Sequence, residues 1–377
     1  MSGAPDAVVI GAGIVGAATA DALAREGMRV TVLDSGFAAG GATSAGMGHL
    51  VAMDDSAAQL ALTGYSNRLW RSLAKDLPPP AEYDPCGTLW IAEDDAQMEA
   101  VESKRSAYSK AGIAAESVGA GQLAELEPNL RPGLAGALRV PGDSVLYPPG
   151  AALALLDRAR GGGARLREHC AVTSVTEHAV TTERETIRAD VIVNAAGAEA
   201  ARLTPELPIV PRKGHLVITD RFPGFCRHQI VELGYLASAH TMTAASVAFN
   251  VQPRKTGQLL IGSSRELVGW DADVNPAILR RMLSRAVEFL PRLARLKAIR
   301  AWTGFRPATP DKLPLIGRWP AVPGLWIAAG HEGLGIATSL GTAAVLSDLI
   351  LGRAPEIDAA PFDPERASGR APGDRAS

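Results

Sequence analysis

The sequence predicts a mixed α/β protein with α+β character: a doubly wound parallel sheet assembled from separate stretches of chain, joined to a second unit of mostly antiparallel strands. Three observations predict it. The chain opens on an apolar strand, Asp6 to Ile10, then a glycine-rich turn, an alanine-rich helix and a second apolar strand from Arg29 to Leu33 that closes on Asp34. Two further apolar strands, Asp190 to Asn194 and Gly324 to Ala329, each end in small residues before a helical stretch. Between these parallel-type units lie short strand-and-turn segments of the kind that build antiparallel sheets.

The turn Gly11-Ala12-Gly13-Ile14-Val15-Gly16 has the spacing of a dinucleotide-binding fingerprint. Gly11 permits the tight turn, and Gly13 carries no side chain to obstruct a pyrophosphate. Gly16 lets the helix lie close to the strand, so the free N–H groups at the helix start face phosphate. A glycine-rich turn alone is only a strand-to-helix connection. Here the strand before it, the helix after it and the acid 23 residues beyond the first glycine, near the spacing of roughly 20 for a ribose-binding acid, make it a nucleotide site. Aspartate in place of a basic residue disfavours a 2′-phosphate, so FAD or NAD is favoured over NADP.

Length and composition bound the rest. At 377 residues the chain suggests about two domains. A net charge of −2 excludes the concentrated basic surface that a nucleic-acid partner requires. The longest apolar stretch, Ile336 to Leu351, is too short for a membrane span and contains Asp348. The N-terminal apolar run belongs to the nucleotide fold and has no basic segment before it, so a cytoplasmic protein, in the soluble phase or peripheral to the inner membrane, is expected. Cys86, Cys170 and Cys226 are far apart and form no Cys/His cluster; no metal site is expected.

Along the chain, Ser35 to His49 is a small-residue stretch expected to be an extended loop, whose hydroxyls at Thr43 and Ser44 can approach a phosphate or ring system closely. Helical rhythm marks Asp55 to Leu73, Asp94 to Ala111, Ala151 to Arg160 and Pro276 to Leu290, the last with Arg280, Arg281 and Arg285 on a face expected to be solvated. Strands are expected at Gly87–Ile91, Leu134–Val140, Ala171–Val175, Gly214–Thr219, Val247–Gln252 and Gln258–Gly262. Ala195, Ala196 and Gly197 sit at the carboxyl end of a parallel strand, where such sheets face their ligand. The stretch Gly330-His331-Glu332-Gly333-Leu334-Gly335-Ile336 leads into a long helix and repeats the opening logic of a helix N-terminus aimed at a polar group.

Four segments together carry a family resemblance: Val8 to Asp34; Ala42-Thr43-Ser44 with Gly46-Met47; Val172 with Asn194 to Gly197; and Phe305-Arg306-Pro307 through Gly335-Ile336. They resemble the FAD-dependent amine and amino-acid oxidoreductases that include D-amino-acid oxidase, glycine oxidase and sarcosine oxidase. The resemblance implies a Rossmann-type FAD-binding domain of residues 1–80, 145–205 and 300–353, a substrate domain of residues 81–144 and 206–299 built on a large antiparallel sheet, and a mostly disordered tail over residues 354–377. It implies that Gly11, Gly13, Ile14, Val15, Gly16, Asp34 and Ser35 hold the ADP half of FAD. Ala42, Thr43, Ser44, Gly46 and Met47 would hold its pyrophosphate and ribityl region, Val172 its adenine through the backbone, and Ala195, Ala196 and Gly197 would line it. Gly330, His331, Gly333, Leu334, Gly335 and Ile336 would bring backbone N–H groups to the flavin, where charge accumulates on reduction.

The same resemblance places Arg306 on the arginine that binds the substrate carboxylate, beside the flavin. An arginine suits this task because its planar fork binds a carboxylate bidentately and keeps its charge when enclosed. His49 and His331 have either a site role or a structural one. In glycine oxidase a tyrosine stands where this chain has Asn250, which argues against simple glycine oxidation. The runs Gly46 to Asp55 and Phe249 to Gly262 look most like bacterial D-hydroxyproline dehydrogenases, with opine-type and cyanide-forming glycine dehydrogenases near. Asn250 and Gln252 alternate with Val251, so both amides share one strand face and can meet a ring hydroxyl. The implied reaction moves a hydride from Cα of an amino acid, such as cis-4-hydroxy-D-proline, to flavin N5. The electron acceptor, whether oxygen, a quinone or a partner subunit, stays open, as does a homo- or hetero-oligomeric state. So do the rival readings of an NAD-dependent dehydrogenase and a flavin-holding subunit dependent on partner proteins.

Overall fold

The structure, a computed structural model, describes residues 6–234 and 245–367. Six strands form the sheet that contains the opening motif, in the order Leu315–Arg318, Leu325–Ala329, Val191–Asn194, Ala7–Ile10, Val30–Leu33, Arg165–Arg167. All neighbours are parallel except the first pair. The central strands are covered on both faces, which is why they read as unbroken runs, AVVI and VTVL, and not as alternation. Helix Ile14–Arg25 packs against both Pro148–Gly161 and Gly335–Ile350. Its buried side chains are mostly Ala17, Ala18, Ala20, Ala22 and Ala24, small enough for the neighbouring helices and the sheet to approach closely.

The second sheet has eight strands, in the order Ala298–Ala308, Val210–Thr219, Leu259–Glu266, Ala245–Pro253, Gln229–Glu232, Thr88–Ala92, Gly136–Val140, Glu116–Gly119. All pairs are antiparallel except Gln229–Glu232 with Thr88–Ala92. One face is apolar: Val217, Ile230, Phe249, Val251 and Ile261 form a core with Met282, Ala286 and Phe289 of helix Pro276–Phe289. Phe249 and Phe289 stack with ring centroids 4.4 Å apart. Asn275 caps that helix, its side chain accepting from the Ala277 and Ile278 N–H groups. Because side chains alternate along a strand, the intervening residues, Asn250 and Gln252 among them, emerge on the other face. Gly304 and Gly262 on that sheet lie against Ala45 and Met47, so this is the face that meets the nucleotide-type unit.

Four expectations need correction. Ala298–Ala308, expected largely within the nucleotide-binding domain, is the edge strand of the eight-stranded sheet and pairs along Val210–Thr219. The Ser35 to His49 stretch is not wholly extended; it contains the helix Gly41–Ala45. Arg285 does not belong to a solvated face: it is half-buried and ion-paired with Glu93, Glu232 and Glu288. The expected disordered tail is ordered through residue 367, where Ala360–Phe362 and Pro364–Ala367 form short 3₁₀ turns. Phe362 is fully buried against the six-stranded unit, and Arg366 Nε donates to Asp311 Oδ2 at 2.8 Å. One buried aromatic ring and an ion pair anchor a segment whose Pro/Ala/Gly composition reads as disorder; its remainder, residues 368–377, lies outside the described residues. No helix among the described residues is long and apolar enough to cross a membrane.

Candidate active site

Three glycines, Gly11, Gly13 and Gly16, shape the turn expected to cradle a dinucleotide, and the structure shows why nothing larger fits. Gly11 has φ +103°, and a Cβ there would lie 2.6 Å from Ala195 O. A Cβ on Gly16 would overlap Gly11 O, so turn, helix and neighbouring strand end cross at backbone contact. A Cβ on Gly13 would stand 3.1 Å from Thr43 Oγ1. That hydroxyl accepts from the Ile14 N–H at 2.9 Å and keeps its own proton for a further acceptor. Val15, half-buried beside it, approaches the start of the last helix, since a Cβ on Gly335 would lie 3.9 Å from Val15 Cγ2.

Asp34 accepts from the Ala12 N–H at 2.7 Å through Oδ2 and from the Gly36 N–H at 2.8 Å through Oδ1. Each oxygen retains a lone pair for a ribose hydroxyl. Ser35 beside it is exposed. Val172 opens the first strand of a small three-stranded sheet, and the Cys170 N–H bonds Asp34 O at 2.7 Å, which brings this segment to the same strand end. Asn194 is buried, with Nδ2 donating to Ala200 O and Oδ1 accepting from the Ala196 N–H at 3.3 Å, and so fixes the turn Ala195, Ala196, Gly197 beside Gly11.

The helix Gly335–Ile350 begins at the same crevice with no side-chain cap, leaving its first-turn N–H groups available. A Cβ on Gly46 would lie 2.8 Å from Ile336 Cδ1, and Trp70 Nε1 donates to Ile336 O at 3.3 Å. Gly330 has φ +78° and packs on Thr309, Gly333 is exposed, and half-buried Leu334 precedes the helix. Ala42 and Ser44 are exposed, with Ser44 Oγ bonded back to Gly41 O. Backbone N–H groups at the starts of the helices Ile14–Arg25 and Gly335–Ile350, together with a glycine cradle, can hold a dinucleotide. Among the described residues no group of three or more His, Cys, Asp or Glu side chains is arranged to hold a metal ion.

The eight-stranded sheet closes the crevice. Gln252 Nε2 donates to Met47 O at 2.8 Å and Trp302 Nε1 to Ala45 O at 3.3 Å, so the sheet grips the loop that faces the cradle. Gln252 therefore has its amide N–H committed to the loop, while its Oε1 and Asn250 Oδ1 are buried without a hydrogen-bond partner among the described residues. Arg306 is half-buried, with Nη1 donating to Ser264 O at 3.0 Å. Its guanidinium lies over Gly214, whose hypothetical Cβ would overlap Nη1, and beside Gly333. Gly214→Ala is accordingly expected to displace the guanidinium and raise KM tenfold or more with flavin content unchanged, as steady-state kinetics and the absorption spectrum would show.

His49 lies close enough to Arg306 for that guanidinium to help lower its pKa; burial is the larger cause, and together they bring it to about 3. Gln229 Nε2 is bonded to His49 Nδ1, which must accept from the amide, so the neutral ring carries its proton on Nε2. The loop beyond His49 is pinned by Asp143, which accepts from the Ala52 N–H at 3.1 Å, and by the Tyr108 hydroxyl donating to Ala52 O at 2.7 Å. His331 is placed differently: buried, with Nε2 bonded to Thr342 Oγ1 at 3.0 Å two turns into the helix that follows. Burial brings its pKa down to about 3 as well. The folded state thus binds fewer protons at both histidines than the unfolded chain does between about pH 3 and 6.5. Their contribution is intact above that window and is lost as pH falls through it. His331→Gln is expected to make the fall in Tm between neutral and mildly acidic pH shallower than in the unaltered protein.

Sequence reasoning missed a group beside Arg306. Arg212, its cross-strand partner, is 4% exposed and donates from Nη1 to Glu332 Oε1 at 3.1 Å. Arg265 is buried on the next strand. Burial acts to raise the Glu332 pKa, yet Arg265, Arg306 and Arg212 together hold it below the ordinary value. Next to them Lys312 and Asp55 line a cavity of about 240 Å³. Charged residues inside strands, Arg212 on Val210–Thr219 and Arg265 on Leu259–Glu266, are the signal that could have found these two.

The family described as FAD dependent oxidoreductase matches residues 6–349. Glycine oxidase of Geobacillus kaustophilus is 29% identical over 381 residues, covering 97% of this chain and 98% of that protein. Glycine oxidase of Pseudomonas aeruginosa is 30% identical over 374 residues, covering 95% and 98%. D-amino acid dehydrogenase of Cereibacter sphaeroides is 31% identical over 308 residues, covering 77% of this chain and 66% of that protein. The crystal structure of the Geobacillus kaustophilus glycine oxidase superposes with a TM-score of 0.85 at 28% identity, over 95% of this chain and 98% of that one. With both sheets and the glycine cradle inside the matched residues, the chain belongs to the FAD-dependent oxidoreductase family, whose members here include amino-acid oxidases and dehydrogenases.

Proposed function

We propose that the protein oxidises a small amino acid at Cα, with Arg306 holding the substrate carboxylate. The observation that carries this is the seat of Arg306: a half-buried guanidinium given room by Gly214 and Gly333, on the sheet face opposite the nucleotide cradle. FAD, when bound, supplies the two-electron acceptor for the Cα hydride. Gly11, Gly13, Gly16, Asp34 and the Thr43 loop would hold its ADP and pyrophosphate portions, and the start of helix Gly335–Ile350 its ring. The chain's own work is orientation: a carboxylate fixed at Arg306 leaves one face of Cα toward the crevice, and no acid/base side chain is required once the amine is neutral. His49, uncharged and carrying its proton on Nε2, acts as a hydrogen-bond donor in that space.

For the substrate we propose a D-configured or secondary amino acid bearing a polar group, such as cis-4-hydroxy-D-proline. Asn250 Oδ1 and Gln252 Oε1 support this reading, because each is a buried acceptor in want of a donor and a ring hydroxyl can supply one. A second reading, a glycine or sarcosine oxidase, is favoured by the glycine oxidase relatives; an opine-type dehydrogenase working with partner subunits is the variant of it that needs other chains. Ranking kcat/KM over D- and L-, primary and secondary amino acids separates these substrates, with cis-4-hydroxy-D-proline expected to exceed glycine. Running each assay with oxygen and with an artificial acceptor assigns oxidase or dehydrogenase chemistry. A cytoplasmic location, free or at the inner membrane, belongs to the same proposal.

A further inference from the structure

Arg306 is held from across the sheet. It stands on the edge strand Ala298–Ala308, yet its Nη1 donates at 3.0 Å to Ser264 O on Leu259–Glu266, and the guanidinium crosses the intervening strand at Gly214. An irregularity in the ladder makes that carbonyl available. Val210–Thr219 and Leu259–Glu266 are in register at Lys213 with Glu266 and again at Val217 with Ile261, so Gly214 to Leu216 face the longer stretch Gly262 to Arg265 in a β-bulge. Counted from Lys213 and Glu266, His215 stands opposite Ser264, and an unbroken antiparallel ladder would send the His215 N–H to the Ser264 carbonyl. It goes instead to the Ser264 hydroxyl, at 2.9 Å.

The His215 ring fixes that hydroxyl from a second direction. Its Nε2 accepts from the Asn275 N–H at 2.9 Å, so Nδ1 carries the proton and donates to Ser264 Oγ at 2.9 Å. Both residues are fully buried. Burial, with Lys213 and Arg306 adding to it, holds the ring pKa below its ordinary value against the opposing pull of Glu266 and Asp271.

We infer that Ser264 is a positioning residue for substrate binding: its hydroxyl stands in for a ladder acceptor, and the carbonyl thereby released orients the Arg306 fork toward the substrate carboxylate. The inference rests on the reading of Arg306 as the carboxylate's ligand. A side-chain oxygen that replaces a main-chain acceptor at a bulge re-aims a neighbouring group without leaving a buried N–H unsatisfied. Removing the hydroxyl strands two buried His215 N–H groups, and the acceptor the ladder then offers is the same carbonyl that holds Arg306. The ladder closes there at the expense of the arginine.

The test is a double-mutant cycle on the full-length, FAD-loaded protein, titrated with propionate and followed by perturbation of the flavin spectrum. Ser264→Ala is expected to raise the propionate Kd about tenfold, the size of one hydrogen bond to a charged group, with flavin content unchanged. In the Arg306→Gln background the same substitution should change Kd less than about twofold, because no guanidinium is left to orient. Ser264→Cys keeps a weak acceptor in nearly the same shape. It should give a smaller rise that also vanishes without Arg306, and it serves in place of the Ala variant if that one does not fold. A Kd that Ser264→Ala leaves unchanged in the otherwise unaltered protein, or raises by the same factor in both backgrounds, overturns the positioning role and leaves Arg306 as the ligand. Propionate bound as tightly by Arg306→Gln as by the unaltered protein overturns the reading of Arg306 itself, and the positioning role with it.

Discussion

Arg306→Gln is expected to lower kcat/KM on the order of 10²–10³-fold, mostly through KM, while the purified protein remains yellow with its full complement of flavin. Truncating one side of an enclosed, hydrogen-bonded charge pair costs about 2–5 kcal/mol, and each 1.4 kcal/mol is roughly tenfold. The loss falls on substrate and not cofactor because Arg306 is on the edge strand Ala298–Ala308, held by Ser264 O, whereas the cradle is built from Gly11, Gly16 and Ala195 on the other sheet. Arg306→Lys should recover only part of the loss, since an ammonium keeps the charge but not the two-pronged geometry. Equal kinetics in the Gln variant would remove the carboxylate assignment.

Gly16→Ala is expected to yield a colourless protein whose activity excess FAD does not restore. Its Cβ would overlap Gly11 O, and Gly11 cannot retreat because its own Cα faces Ala195 O. Strand, turn and helix therefore move apart together, and the helix N-terminus leaves the phosphate position. Gly27→Ala is the matched control: Gly27 also has positive φ, +82°, but no atom lies within 4 Å of a Cβ there. It should cost about 1–2 kcal/mol of backbone strain and keep its flavin. A flavin-replete Gly16→Ala protein would contradict the cradle described above.

The parts of the site made by local backbone constraint were legible in the sequence. Gly11, Gly13 and Gly16 are read directly because a turn, a close approach and a helix-on-strand contact each exclude a Cβ, and all three occur within six consecutive residues. What was not legible depends on register. Arg212 and Arg306 are far apart in sequence and become neighbours only when Val210–Thr219 pairs with Ala298–Ala308. The same pairing moved Arg306's strand out of the nucleotide-binding unit in which its sequence neighbourhood had placed it. That Gln252 spends one of its two N–H groups on Met47 O, a backbone atom brought near only by the docking of two sheets, could not be read from its place on the strand. His331 and His49 are indistinguishable by sequence context; Thr342 beneath one and Gln229 beside the other set them apart. The tail misled because composition averages over a segment, while Phe362 and the Arg366–Asp311 ion pair fix it.

A substrate held by Arg306 is expected to deliver its electrons directly to the bound flavin. Anaerobic mixing of the purified protein with single amino acids, followed by loss of the oxidised-flavin absorbance, measures this in one turnover without any choice of electron acceptor. Bleaching by cis-4-hydroxy-D-proline, faster than by glycine and slowed strongly in Arg306→Gln, is the expected result. A flavin that no D- or L-amino acid, primary or secondary, reduces would contradict the central claim.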